Sequence, residues 1–181
     1  KIRHALIAIP LAIAAVVTMV LIRPDAMGRI KTYFDRDADA QGSSYQINQS
    51  LIAIGSGQIT GRGFGQSIQK FGYLPEPIGD SIFAVTAEEF GFLGSLILIA
   101  MYILLAISMF RIGTRAPDLF AGSIAIGIGT LIITESFMNM AGMLGIIPLS
   151  GLPLLFVSHG GTALVIILAA TGIVANISRH Q

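Results

Sequence analysis

Hydrophobic positions in this chain are not arranged as stripes. They come in long runs, separated by polar and glycine-rich stretches. A bilayer span needs about 20 mostly apolar residues. Ala5 to Ile22 and Phe92 to Phe110 meet that requirement with no charge inside. Leu119 to Gly142 is long enough but carries Thr134, Glu135, Ser136 and Asn139. Thr162 to Ile177 is short, and Gly160, Gly161 and Ser178 complete it. The pattern predicts an all-α polytopic membrane protein with four transmembrane helices, over about residues 5–22, 92–110, 119–142 and 160–178.

Composition agrees with that reading. The chain is 54% hydrophobic and 12% charged, where a soluble domain is about 25% charged. The 181 residues read as a single membrane domain. A net charge of +1 offers no basic field for nucleic acid. Cysteine is absent, which excludes disulfides and thiolate metal sites. The chain opens Lys1-Ile2-Arg3 without a signal-type cleavage site, and is read as the C-terminal part of a longer protein.

Charge also predicts orientation. Lys1 and Arg3 precede the first run, Arg111 and Arg115 link the second and third, and Arg179 follows the fourth, whereas residues 143–161 hold no Lys or Arg. Positive residues favour the cytoplasmic side. Both ends are therefore expected inside, with a large extracellular loop over about 23–91 and a short one over about 143–159. The large loop also holds bases, but its acids outnumber them and the rule weakens beyond about 60 residues.

A loop of that size inside a compact domain points to function. Tyr45 to Ile54 is expected to form a short amphipathic helix at the interface. Gly55, Gly57, Gly61, Gly63 and Gly65 follow. They read either as a flexible loop or as a phosphate cradle of backbone N–H groups, with Arg62 and Lys70 as counter-ions. No Gly-Lys-Ser/Thr sequence follows, so the cluster is not a nucleotide loop.

Candidate chemistry lies in Tyr73-Leu74-Pro75-Glu76-Pro77-Ile78-Gly79-Asp80, just ahead of an apolar run. Asp80 fits two compatible readings: a helix N-cap and a general base. Glu76 and Asp80 together resemble the carboxylate pair of glycosyl chemistry, although Pro75 and Pro77 forbid a regular helix between them. Glu88 and Glu89 are read as structural acids pairing with another helix or a basic loop residue. Glu135 shares a helix face with Asn139, as interhelical glue or as a polar path. His159, beside Ser158, has no second histidine nearby in sequence, which argues against a metal site and a hydrolase triad alike.

Taken in order, several motifs resemble the FtsW/RodA (SEDS) family over about residues 45–180. They are Gln49-Ser50-Leu51-Ile52-Ala53-Ile54-Gly55-Ser56-Gly57, Gln69-Lys70, Tyr73-Leu74-Pro75-Glu76 with Asp80, and Glu88-Glu89. Arg115-Ala116-Pro117-Asp118, Gly151-Leu152-Pro153, Phe156 with Ser158-His159-Gly160-Gly161, and Asn176-Ile177-Ser178-Arg179 follow. The resemblance implies the last four spans of a ten-span fold. It also implies a peptidoglycan glycosyltransferase that polymerises lipid II on the outer face of the bacterial cytoplasmic membrane, with both ends of this chain in the cytoplasm.

On that resemblance Asp80 is the catalytic base on the acceptor sugar hydroxyl, with undecaprenyl diphosphate leaving. Glu76, Lys70, Arg62, Ser158, Gly160 and Gly161 fall to substrate binding. Glu88, Glu89, Glu135, Asn139 and His159 are structural or polar-path residues. A divalent cation (Mg2+ or Mn2+) accompanies the diphosphate, and a class B penicillin-binding transpeptidase with other division proteins is the implied partner set. The chain departs from the family pattern at Ile78, Gly79, Ser81, Ser150, Leu155 and His159. Arg115-Ala116-Pro117-Asp118 and the Asn176–Arg179 ending look more like the division-type FtsW than RodA. The rival readings are a lipid II flippase and a non-catalytic division scaffold, and this part of the chain by itself is expected to be inactive.

Overall fold

The computed structural model describes residues 42–180 continuously, with scattered positions between 10 and 34. The first expected span, Ala5 to Ile22, falls almost wholly outside the described residues. Every regular element among the described 42–180 is helical: α1 (Ser43–Ser56), α2 (Ile82–Arg115), α3 (Leu119–Met143) and α4 (Gly161–Ser178). The last three are long and apolar enough to cross a membrane. The chain divides into two compact units, Lys1–Tyr45 and Gln46–Gln181, and the second carries all three of these helices.

The three long helices expose much of their apolar surface, as expected where lipid replaces water as solvent. Their shared core contains Met109, Ala125, Ile132, Ile167 and Val174. The α2–α3 connection is sharp because Asp118 caps α3, its carboxylate accepting from the Ala121 N–H at 2.6 Å. One of the four N–H groups left unpaired at the helix start is satisfied this way, which gives Asp118 in Arg115-Ala116-Pro117-Asp118 a structural reason.

Helix α1 packs part of its apolar side on protein and leaves Ile52 exposed. Ile47 packs in a cluster with Phe83, Tyr102, Met143 and Leu149. Ala53 packs with Leu74, Ala84 and Val85. The expected short amphipathic helix is present, and it packs on protein beside the start of α2.

Helix α2 is broken. The sequence starts the second span at Phe92, whereas helix begins at Ile82 and the backbone departs from it at Gly91 (φ 68°, ψ −165°). A break of this kind orphans carbonyls before it and N–H groups after it, which cannot stay unpaired in a buried setting. The glycine-rich segment supplies four main-chain partners at the joint. Arg62 and Gly63 donate their backbone N–H groups to the Glu88 and Glu89 carbonyls, both at 2.9 Å. In return the Gln58 and Ile59 carbonyls accept from Phe92 and Leu93 at 2.9 and 3.1 Å. Glycine is required for this approach: a Cβ on Gly57 would lie 2.0 Å from the Ala87 carbonyl oxygen, and one on Gly61 2.1 Å from that of Glu89. The cluster is therefore a main-chain splice, not a flexible loop.

Candidate active site

Two loops meet at Asp80. The first is the turn from Tyr73 into α2, and the second is the segment from Ser150 to Gly160. Pro75 and Pro77 fix the backbone on either side of Glu76, which turns the chain at a positive φ of 46°. The Glu76 carbonyl then accepts from the Gly79 and Ser81 N–H groups, both at 3.1 Å. Asp80 is thus held in a tight turn, half-buried, two residues before the helix starts at Ile82.

The second loop clamps that turn from outside. Ser158 Oγ donates to the Gly79 carbonyl at 2.7 Å and accepts from the Leu154 N–H at 2.8 Å. The His159 backbone N–H donates to the Ile78 carbonyl at 2.8 Å. From α3, Asn139 Nδ2 donates to the Asp80 carbonyl at 2.8 Å and to the Leu152 carbonyl at 2.7 Å. Ser81 Oγ donates to the Pro75 carbonyl at 2.8 Å and accepts from Gln46 Nε2 at 2.9 Å. Carbonyls at 78, 79 and 80 are therefore each held by a different donor, and the main chain that carries Asp80 is held by α3 and the second loop, with α1 bonded to Ser81 next to it.

Phe156, within the clamping loop, also has a positive φ, 68°. Left-handed backbone at non-glycine residues costs about 1–3 kcal/mol each and concentrates at functional sites. Each of the two loops thus carries one such residue, Glu76 and Phe156, and a third, Gln58, lies in the glycine-rich splice. Below Phe156 an apolar cavity of about 530 Å³ opens between α2 and α4, lined by Leu98, Met101, Tyr102, Leu105, Phe156 and Thr171. Tyr102 fixes its rim by donating its hydroxyl to the Leu155 carbonyl.

Three sequence readings change. Asp80 is not the helix cap: Ser81 occupies that position, and no side chain donates or accepts there as a cap. The N–H groups of the loop do form an anion cradle, but the anions are the protein's own carboxylates. Gly65 and Ser67 donate to Glu89 at 2.9 and 3.4 Å, while Ile68 and Gln69 donate to Glu88 at 3.0 and 3.2 Å. Ser67 Oγ adds a 2.6 Å bond to Glu88. Arg62 lies 3.5 Å from Glu88 and Lys70 2.6 Å from Glu89, so both bases are ion-paired within the loop.

The third change concerns α3. Asn139 and Glu135 share a face, yet Asn139 turns to Asp80 and Leu152, and Glu135 makes no hydrogen bond or ion pair with the described residues. Among the described residues Glu135 and Asn139 do not join in one hydrogen-bonded network. Gly160 and Gly161 bracket the start of α4, with Gly160 at its cap position. The His159 ring is exposed; the residue contributes through its main chain. Sequence reasoning missed Gln46 and Ser67, and marked Ser81 only as a departure from the family pattern. Ser67 is buried in a glycine-rich loop, and neither its spacing nor its type marks it.

A helical membrane protein with a carboxylate held at the mouth of its spans is the class this arrangement defines. A family model, "Cell cycle protein" (FtsW, RodA, SpoVE), matches residues 1–181. The chain belongs to that family. It is 40% identical over 171 residues to stage V sporulation protein E of Bacillus subtilis, covering 94% of this chain and 47% of that protein. It is 42% identical over 156 residues to the probable peptidoglycan glycosyltransferase FtsW of Enterococcus hirae, covering 86% of this chain and 39% of that protein. It also matches a chain of the structure reported as "Structural coordination of polymerization and crosslinking by a peptidoglycan synthase complex", with a TM-score of 0.69 and 25% identity over 98% of this chain and 49% of that one. The chain thus spans about half, or less, of the length of these relatives.

Proposed function

We propose that this chain carries the base-bearing part of a peptidoglycan glycosyltransferase that polymerises lipid II, with Asp80 as the base. The observation that carries the reading is the clamp: three successive carbonyls, those of Ile78, Gly79 and Asp80, are fixed by donors from two other elements. Such positioning is what a general base needs, because its reach to the substrate proton decides its effect. Relatives named peptidoglycan glycosyltransferase support the choice of reaction.

In that reaction the acceptor sugar hydroxyl gives its proton to the Asp80 carboxylate. Its oxygen forms the new bond to the donor anomeric carbon, and the carbon–oxygen bond to undecaprenyl diphosphate breaks on the opposite face, inverting the centre. Glu76, exposed on the same turn, is placed to hold sugar hydroxyls. A polyprenyl chain is the kind of ligand that the apolar cavity beneath Phe156 accommodates. Among the described residues no three His, Cys, Asp or Glu side chains converge on a metal position. A divalent cation accompanying the diphosphate would supply charge neutralisation of the leaving group.

The active site is assigned to the outer face of the membrane because the positive residues flanking the spans favour the opposite side. A class B transpeptidase is the partner that the matched synthase complex suggests. Sporulation and division relatives match at 40% and 42% identity. The division role therefore rests on the motif Arg115 to Asp118 and on the several relatives named FtsW.

The test is Asp80→Asn in the complete protein, reconstituted with lipid II. Glycan polymer is expected to vanish while the melting temperature stays within a few degrees of the parent. Full polymerisation by this variant would falsify the assignment.

A further inference from the structure

We propose that the loop over residues 59–71 is a membrane-surface anchor, seated in the phospholipid interface beside the Gly91 break of α2, where the apolar run begins. Phe64 is 83% exposed, Phe71 71% and Ile59 66%. Large apolar groups on an ordered loop, held by main-chain bonds at both ends, are not left to water without a reason. The splice fixes their height. Ile59 is bonded through its carbonyl to Leu93, the second residue of the uninterrupted span, and Phe64 packs on Phe90 with ring centroids 5.9 Å apart.

The exposed surface is continuous from the loop to the span. Phe90, Phe92, Leu93, Leu96 and Ile97 are all exposed and carry the apolar face down α2. That face is the one a bilayer covers, so a loop pinned to its first turn lies at headgroup depth. Aromatic side chains favour that depth. The bases are suited to it as well: Lys70 lies 5.1 Å from the Phe71 ring centre while pairing with Glu89, and the Arg62–Glu88 pair is a neutral unit. The loop therefore brings apolar rings to the interface with its charges compensated. Such an anchor would hold the Tyr73–Asp80 turn, which directly follows it, at a constant height above the hydrocarbon.

The absence of cysteine from this chain makes a direct test simple. A nitroxide label is attached to a single cysteine at position 64 or 71 of the complete protein, with any cysteine outside these residues replaced by serine. The protein is reconstituted in phosphatidylcholine–phosphatidylglycerol vesicles. Collision with oxygen and with a water-soluble nickel chelate is measured by power saturation. Labels at Met101, within the span, and at Pro117, in the exposed link, calibrate depth. The expected result is an oxygen-to-nickel ratio at both loop positions several-fold above that at Pro117 and below that at Met101. Nickel access equal to that at Pro117 would place the loop in water. Loss of access to both relaxants would place it under protein, from elsewhere in the chain or from a partner. Either outcome overturns the proposal.

Discussion

The side-chain amide of Asn139 reaches from helix α3 to the backbone carbonyl of Asp80, 59 positions earlier in the chain, at 2.8 Å. The same nitrogen holds Leu152 at 2.7 Å, so one buried side chain joins both loops of the site. Asn139→Ala strands two carbonyls, and losing buried partners costs about 1–3 kcal/mol. Asn139→Asp is expected to be worse, since it sets acceptor oxygens against two carbonyls. Thermal melting in detergent should rank them parent, Ala, Asp. Polymerisation of lipid II by the complete protein should fall with the same order.

The splice at Gly91 predicts a sharp contrast among glycines. Gly61→Ala places a Cβ against the Glu89 carbonyl, and Gly91→Ala places one 2.3 Å from the Gly61 nitrogen. Both positions also have positive φ. Each should cost well over 2 kcal/mol, as overpacking and backbone strain combine. Gly55→Ala meets nothing within 4 Å, lies in the helix Ser43–Ser56, and should stabilise by up to about 1 kcal/mol. Chemical or thermal unfolding of the four proteins side by side checks the order.

Lys70 and Glu89 should behave as one unit. Their 2.6 Å contact is largely shielded, with side chains 23% and 7% exposed. The double variant Lys70→Met with Glu89→Gln should be less destabilised than the sum of the single changes, with a coupling of about 0.5–3 kcal/mol. Were Lys70 instead a free counter-ion for diphosphate, Lys70→Met would raise KM for lipid II and leave stability unchanged.

Glu76→Gly offers a separation of stability from activity. The residue is exposed and adopts φ 46°, a conformation that glycine takes without strain. The variant should melt at or above the parent temperature. If the carboxylate holds sugar hydroxyls, KM for lipid II should rise by tenfold or so, about 1.4 kcal/mol.

The long helices were legible because hydrocarbon thickness imposes run length, and Phe92 to Phe110 or Leu119 to Gly142 can be read directly from it. Asp80 was legible as a costly acid at the edge of such a run. The partners were not. Helical spacing puts Asn139 beside Glu135, but spacing says nothing about a loop carbonyl far away in sequence, and that carbonyl is where the amide goes. Likewise five nearby glycines read equally as slack or as an anion cradle. Only packing reveals that Gly57 and Gly61 lie against the backbone of the Ile82–Arg115 helix and that the cradle closes on Glu88 and Glu89. The break at Gly91 is invisible because an isolated glycine in an apolar run carries no mark of its φ.

That break also bears on how the protein is made. Phe92 and Leu93 open an apolar segment with N–H groups that its own helix cannot satisfy, and leaving them bare in hydrocarbon is costly. Their acceptors, Gln58 and Ile59, lie upstream and so leave the ribosome first. The segment that completes the span is therefore already synthesised when the span enters the bilayer. Insertion of this helix and docking of the glycine loop become a single event in biogenesis, and a ribosome-stalled chain ending after Leu93 should already contain every residue the joint requires.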